Sequence, residues 1–312
     1  MHLVILLFAL FASLFTLSKT GLLYSEPFFF IGSRMLVSGL LLLGYDYLIT
    51  KNRYQYRLSA LYPIFIFGFF AIYVTNAAEI WGLQYMSSAK ACLIYSLSPF
   101  AAALLAIPIL KEKITQKKWW GLAIGFLGLM PLLFAESQPI EIFNELKLVG
   151  WADSALVIAV FASAYGWILL KKILTQYVFS TVFVNGLAML TGGTLALAHS
   201  YLSGESWTPF PVSQNGWLVY LECMVWMTLI SNIICYNLYG HLLKKFTATF
   251  MSFAGLVTPL FASLFGWFFL DEVITWHFYF AMGLFSIGLT LFYIDELPGF
   301  SIYKENQVSN IN

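Results

Sequence analysis

Apolar stretches long enough to cross a bilayer alternate with short polar breaks along almost the whole chain. Runs near residues 2–18, 27–49, 59–84, 88–110 and 117–135 are followed by a second set near 148–170, 178–201, 215–242, 248–270 and 276–294. A helix needs about 20 apolar residues to span the hydrocarbon core, because each residue advances it by only about 1.5 Å. The pattern therefore predicts an all-α integral membrane protein of ten transmembrane helices in two groups of five. The clearest polar connector, ESQPIEIFNELK at 136–147, separates a first unit (1–140) from a second (146–298). The polar stretch 299–312 after Pro298 predicts a frayed tail.

Composition agrees with this class. Of 312 residues 60% are hydrophobic and 10% charged, whereas a soluble domain carries about 25% charged residues. A net charge of +1 without a long basic tract excludes a nucleic-acid partner. Cys92, Cys223 and Cys235 lie singly in apolar runs with no CxxC spacing, which reads as core packing rather than redox or metal chemistry. The apolar start lacks the positive charge and small-residue cleavage site of a signal peptide, so it reads as a retained first helix.

Lys and Arg on the connections favour the cytoplasmic side. With the N-terminus inside, that side receives Lys51, Arg53, Arg57, Lys111, Lys113, Lys117, Lys118, Lys171, Lys172, Lys244, Lys245 and Lys304. The opposite side receives Lys19, Lys90 and Lys147, and Arg34 falls within a helix. Both termini are then cytoplasmic.

The two units are related in sequence. KEKIT at 111–115 matches DEVIT at 271–275, so that Glu112 pairs with Glu272 and Thr115 with Thr275, 160 residues apart. Pro99 and Pro259, and Gly128 and Gly288, stand at the same spacing. An odd number of helices per unit inverts the second, which explains why the outward-facing copy of the turn has lost its lysines. Inverted repeats of this sort are typical of secondary transporters, which bind substrate near the midplane between them.

The residues that carry a family likeness are LQYMSSAKACLIYSLSPFAAALLAIPILKEKITQKKWWGLAIGFLGL at 83–129, ATFMSFAGLVTPLFASLFGWFFLDEVIT at 248–275, and Arg34 after Pro27. With these the chain resembles the EamA-like branch of the drug/metabolite transporter superfamily. SSAKACLIYSLSPF followed by KKWWGL is most similar to S-adenosylmethionine transporters of obligate intracellular bacteria. The Trp-Gly usual in the family's first helix is replaced by ASLFTLSK. The resemblance implies a ten-helix carrier in the cell inner (cytoplasmic) membrane, acting by alternating access without a cofactor, as a monomer or homodimer. Its implied cargo is S-adenosylmethionine, taken up in exchange for S-adenosylhomocysteine. An exporter of amino acids or drug-like amphiphiles is the alternative on the same fold.

Ionisable groups inside a bilayer are costly, and they face a cavity or a partner. Lys19, Arg34, Glu79, Lys90, Asp153 and Glu222 share the outer half, a mixture of charges that suits an amphoteric ligand. Arg34 or Lys90 would hold a carboxylate, and Glu79 or Glu222 an ammonium or sulfonium. Tyr95, Trp81 or Trp226 would lie against a base or the sulfonium. Asn76, Asn185, Asn232 and Asn237 add polar groups within helices, open to ligand contact or to helix bridging, with Asn76 the better candidate because Glu79 lies one turn along the same face. The structural alternative is that the charges pair with one another, and that Lys19 and Asp153 snorkel to the interface. Pro99 and Pro259 each remove a helical hydrogen bond, which suggests hinges or cavity lining. Glu112 and Glu272 read as structural, with Thr115 and Thr275 as N-caps. HExxH and GxSxG are absent and the histidines are scattered, which argues against an intramembrane enzyme. The lack of a P-loop argues against direct ATP drive.

Overall fold

The computed structural model describes residues 1–50, 58–83, 85, 94–135, 150–177, 179–207, 214–270 and 276–309. Every regular element among them is helical. Apolar solvent offers the backbone no partners, so each span must close its hydrogen bonds within itself. The elements are α1 (His2–Leu22), α2 (Pro27–Tyr45), α3 (Leu58–Phe67), α4 (Thr75–Leu83), α5 (Ser98–Leu110), α6 (Gln116–Ala135) and α7 (Trp151–Gln176). They continue with α8 (Thr181–Leu202), α9 (Gln214–Met227), α10 (Tyr236–Leu243), α11 (Ala248–Ala254), α12 (Thr258–Leu270) and α13 (Trp276–Ser309). Among the described residues seven stretches are long and apolar enough to cross a membrane: Pro27–Ile49, Leu61–Gly82, Trp151–Gln176, Thr181–Leu202, Gly216–Leu243, Ala248–Phe265 and Trp276–Ile294. His2–Leu14 and Ser98–Leu110 are shorter apolar helices.

Two spans change helical type midway. A π-helical segment, Gly68–Val74, joins α3 to α4, and another, Thr228–Cys235, joins α9 to α10. The two correspond at a spacing of 161 residues. The Thr75 N–H donates to the Phe70 carbonyl, and the Tyr236 N–H to that of Ser231. The Asn76 amide donates to Ile72 O at 2.6 Å, and the Asn237 amide to Ile233 O at 2.7 Å.

Small residues let helices approach closely. α2 crosses α8 antiparallel: a Cβ on Gly32 would meet the Leu197 nitrogen at 2.9 Å, and one on Gly39 the Gly186 carbonyl at 2.9 Å. α6 meets α13 through Gly121 and Gly288, where an added Cβ would lie 2.8 Å and 2.6 Å from the other's carbonyl oxygen. Phe67, Ile72, Phe250, Phe253 and Phe292 fill the interior, while Leu40, Leu104, Leu218 and Phe268 face outward.

Side chains stitch the ends together. At one end, Glu205 accepts from the Phe28 and Phe29 N–H groups at 3.2 and 2.8 Å, capping α2. At the other, Ser180 caps α8 and donates to Asp46 at 2.7 Å. There too Glu112 accepts from the Ala248 N–H at 2.8 Å and the Thr249 hydroxyl at 3.0 Å, and pairs with Lys171 at 3.3 Å. Glu112 thus caps a helix of the second unit, a structural role fulfilled across the chain rather than within its own turn.

Two local expectations come out differently. Pro99 is the second residue of α5, where its missing N–H would have no partner in any case, whereas Pro259 stays inside the span Ala248–Phe265, just after the 3₁₀ turn Gly255–Val257 that joins α11 to α12. The polar tail is not frayed over its first part, because α13 runs on through Pro298 to Ser309. Pro298 costs α13 a backbone hydrogen bond, but residues 301–309 include good helix formers such as Lys304 and Glu305.

Candidate functional site

Five polar side chains gather where α2, α4, the residue Tyr95 before α5, and the π segment Thr228–Cys235 meet. Arg34, on α2, is only 8% exposed. Its Nη2 donates to Asn76 Oδ1 at 3.4 Å and its Nη1 lies 3.8 Å from the Met227 sulfur. The Phe30 ring stands 5.8 Å from the guanidinium carbon. Arg34 Nε has no partner, and no carboxylate lies within ion-pair distance of the guanidinium, among the described residues. Glu79 is near enough for electrostatic attraction, but one of its oxygens accepts a 2.7 Å hydrogen bond from the Tyr95 hydroxyl.

Asn232 is fully buried. Its amide nitrogen donates to Ser38 Oγ at 2.8 Å and to the Arg34 carbonyl at 3.4 Å. Ser38 donates to that same carbonyl at 2.6 Å. A carbonyl only accepts, so the amide nitrogen must face it and Asn232 Oδ1 is turned elsewhere. This network fixes the backbone of α2 under the arginine.

One wall is aromatic. Trp167 of α7 stacks on Tyr239 at 4.0 Å and stands 5.1 Å from Tyr236. Tyr236 in turn interacts electrostatically with Arg34 and Glu79. A buried cation without a matched anion, a carboxylate braced by a phenol, and large rings beside them can receive a molecule that carries both charges and an apolar or cationic body.

The structure thus brings Arg34, Asn76, Glu79, Tyr95 and Asn232 together. Glu222 lies apart, on the exposed face of α9 with Leu221, Val225 and Trp226. Trp81 is likewise exposed and packs on Tyr85. Lys90 and Cys92 lie outside the described residues, as do Glu272 and Thr275, and Lys19 is described only as part of α1. Asn185 donates to Asn237 at 3.1 Å, a helix bridge between α8 and α10. Asp153 accepts from the Gly150 N–H at 2.8 Å and caps α7. Thr115 caps α6 through the Lys118 N–H at 3.3 Å. Pro99 is buried where α5 begins and Pro259 is half-buried. Sequence reasoning missed Trp167, Tyr236 and Thr228. In a chain with 18 tyrosines and 10 tryptophans an aromatic residue carries little signal, although the repeat register does set Tyr236 opposite Thr75. No group of three or more metal-ligating side chains occurs among the described residues.

Comparison with known proteins gives consistent findings. The model of the EamA-like transporter family matches residues 1–134 and 150–294. The S-adenosylmethionine/S-adenosylhomocysteine transporter of Chlamydia muridarum is 39% identical over 91% of this chain and 88% of its own. That of Chlamydia trachomatis serovar L2 is 38% identical over 91% of this chain and 86% of its own. A protein of known crystal structure shares the fold with a TM-score of 0.72 at 15% identity, over 94% of this chain and 95% of its own.

Proposed function

Because this chain belongs to the EamA-like transporter family, we propose that it is a secondary carrier that takes up S-adenosylmethionine in exchange for S-adenosylhomocysteine. The observation that carries the substrate is the likeness, over nearly the full length, to the two chlamydial transporters of those molecules. The site fits such a cargo. Arg34, with no anionic partner among the described residues, receives the substrate carboxylate. Glu79, oriented by Tyr95, faces the sulfonium, and Trp167 with Tyr236 lines the path of the apolar body. S-Adenosylhomocysteine lacks the sulfonium charge, so Glu79 distinguishes the two exchanged molecules.

The protein is a multi-pass membrane protein, and we read it as ten spans in two inverted units in the cell inner membrane with both termini cytoplasmic. The matched π segments and the two ranges covered by the family model support the repeat. The end that carries Lys111, Lys113, Lys117, Lys171, Lys172, Lys244 and Lys245 is the cytoplasmic one by the orientation rule.

The test is uptake of labelled S-adenosylmethionine into proteoliposomes preloaded with S-adenosylhomocysteine or with buffer. Uptake stimulated by the preload and lost in Arg34→Ala and Glu79→Gln supports both the exchange and the site. No uptake by folded wild-type protein overturns the substrate, and an amino acid efflux panel then tests the export alternative.

A further inference from the structure

Several threonines and serines in the helices of this protein bond back to the carbonyl four residues earlier. Thr191 does so at 2.9 Å, Thr194 at 2.7 Å and Ser286 at 2.7 Å. Asn76 and Asn237 use their amides in the same way. Thr228 and Asn232 do not. Thr228 is 4% exposed and Asn232 0%, yet Thr228 Oγ1 and Asn232 Oδ1 have no hydrogen-bond partner among the described residues. Buried polar atoms are nearly always paired, and an exception calls for a cause. Asn185 Oδ1 on α8 is a further such atom, but Thr228 and Asn232 share the π segment Thr228–Cys235, and π bulges concentrate at functional sites.

Their position is informative. Met227, the residue before Thr228, touches the Arg34 guanidinium, and Asn232 holds the Arg34 carbonyl. Two free acceptors therefore sit in the segment that packs on Arg34, whose Nε is itself a free donor. An α-amino acid has the complementary layout: its carboxylate and its ammonium hang from one carbon, so a carboxylate on Arg34 brings three N–H donors beside it.

We propose that Thr228 Oγ1 and Asn232 Oδ1 form a subsite for the α-ammonium group of the substrate's amino acid head. The inference rests on the reading of Arg34 as the carboxylate site, and it names the determinant that selects an α-amino acid over a simple carboxylate. Neutral acceptors suffice for the ammonium, because Glu79 supplies counter-charge nearby. In each half-cycle the head binds the same way, since S-adenosylmethionine and S-adenosylhomocysteine share it. The sulfonium subsite alone tells them apart.

The experiment is competition against labelled S-adenosylmethionine uptake in proteoliposomes. The probes are S-adenosylhomocysteine, its analogue without the α-amino group, and its analogue without the carboxylate. Wild type is expected to prefer S-adenosylhomocysteine to the deamino analogue by about tenfold or more, the usual worth of a hydrogen bond to a charged group. In Thr228→Val and Thr228→Ala that preference shrinks because S-adenosylhomocysteine weakens, while the deamino analogue binds as before. Thr228→Ser restores it. Unchanged binding of the deamino analogue also shows that the variants are folded. Equal weakening of all three probes, or an unchanged preference, assigns Thr228 a packing role and overturns the proposal. Wild type that transports but fails to distinguish the two carboxylates overturns this inference alone, whereas wild type without uptake overturns the proposed function.

Discussion

Arg34 carries a cost that its neighbours do not offset. Its side-chain contacts among the described residues are a 3.4 Å hydrogen bond to Asn76, a 3.8 Å contact to the Met227 sulfur and the Phe30 ring. A buried charge without a matched partner opposes folding. Arg34→Met is therefore expected to keep or raise the unfolding temperature in detergent. Uptake should fall by about a hundredfold or more, because the carboxylate loses its counter-ion. A lowered unfolding temperature would make Arg34 a structural residue. Tyr95→Phe removes only the 2.7 Å hydrogen bond to Glu79. The carboxylate then loses its orientation, and KM for S-adenosylmethionine should rise about tenfold with folding unchanged. At this scale a charge that interrupts an apolar run was informative for Arg34 and Glu79, which converge, and not for Glu222, which faces outward, or Asp153, which caps α7. The polar Asn76 and Asn232 could also be read from the sequence. Thr228 and Trp167 could not, because such residues are common in any membrane helix.

Elements are held in register by caps that arrive from elsewhere in the chain. Glu112 closes the first turn of α11 through Ala248 and Thr249 and neutralises Lys171, which also donates to the Phe246 carbonyl at 2.7 Å. Glu112→Ala leaves the largely buried Lys171 without its counter-charge and the Ala248 and Thr249 N–H groups without this acceptor. A loss of about 3 kcal/mol is expected, checked by thermal unfolding in detergent. Wild-type stability in this variant would mean that water replaces the carboxylate. The repeat register identified Glu112 as structural, yet its target lies 136 residues along the chain, beyond the reach of any local pattern. The π segments were equally hidden. Their defining bonds span five residues instead of four, a choice made by packing and not by composition.

For the whole molecule the central question is orientation. The end bearing Lys111, Lys113, Lys117, Lys171 and Lys172 also holds the Ser180–Asp46 and Glu112–Lys171 contacts, and the opposite end holds the Glu205 cap on α2. In a cysteine-free background, Lys117→Cys is expected to resist a membrane-impermeant maleimide added outside intact cells, while Ser203→Cys reacts. The reverse labelling would invert the topology, and with it the side from which Arg34 is approached.

The amino-acid order alone determined the class of the protein and the approximate places of its apolar spans, and it is the basis on which their orientation and the kinship of the two halves are proposed. These follow from local quantities: the length of apolar runs, the cost of charge in lipid, and recurrence at a fixed spacing. Only the tertiary structure decided which of the scattered polar groups converge. It set Arg34 beside Asn76 and Met227, turned Glu222 outward, moved Pro99 to a helix start, and left Thr228 and Asn232 with acceptors to offer. Convergence depends on how helices rotate and cross, and that is fixed by close glycine contacts and shared caps between residues far apart in the chain.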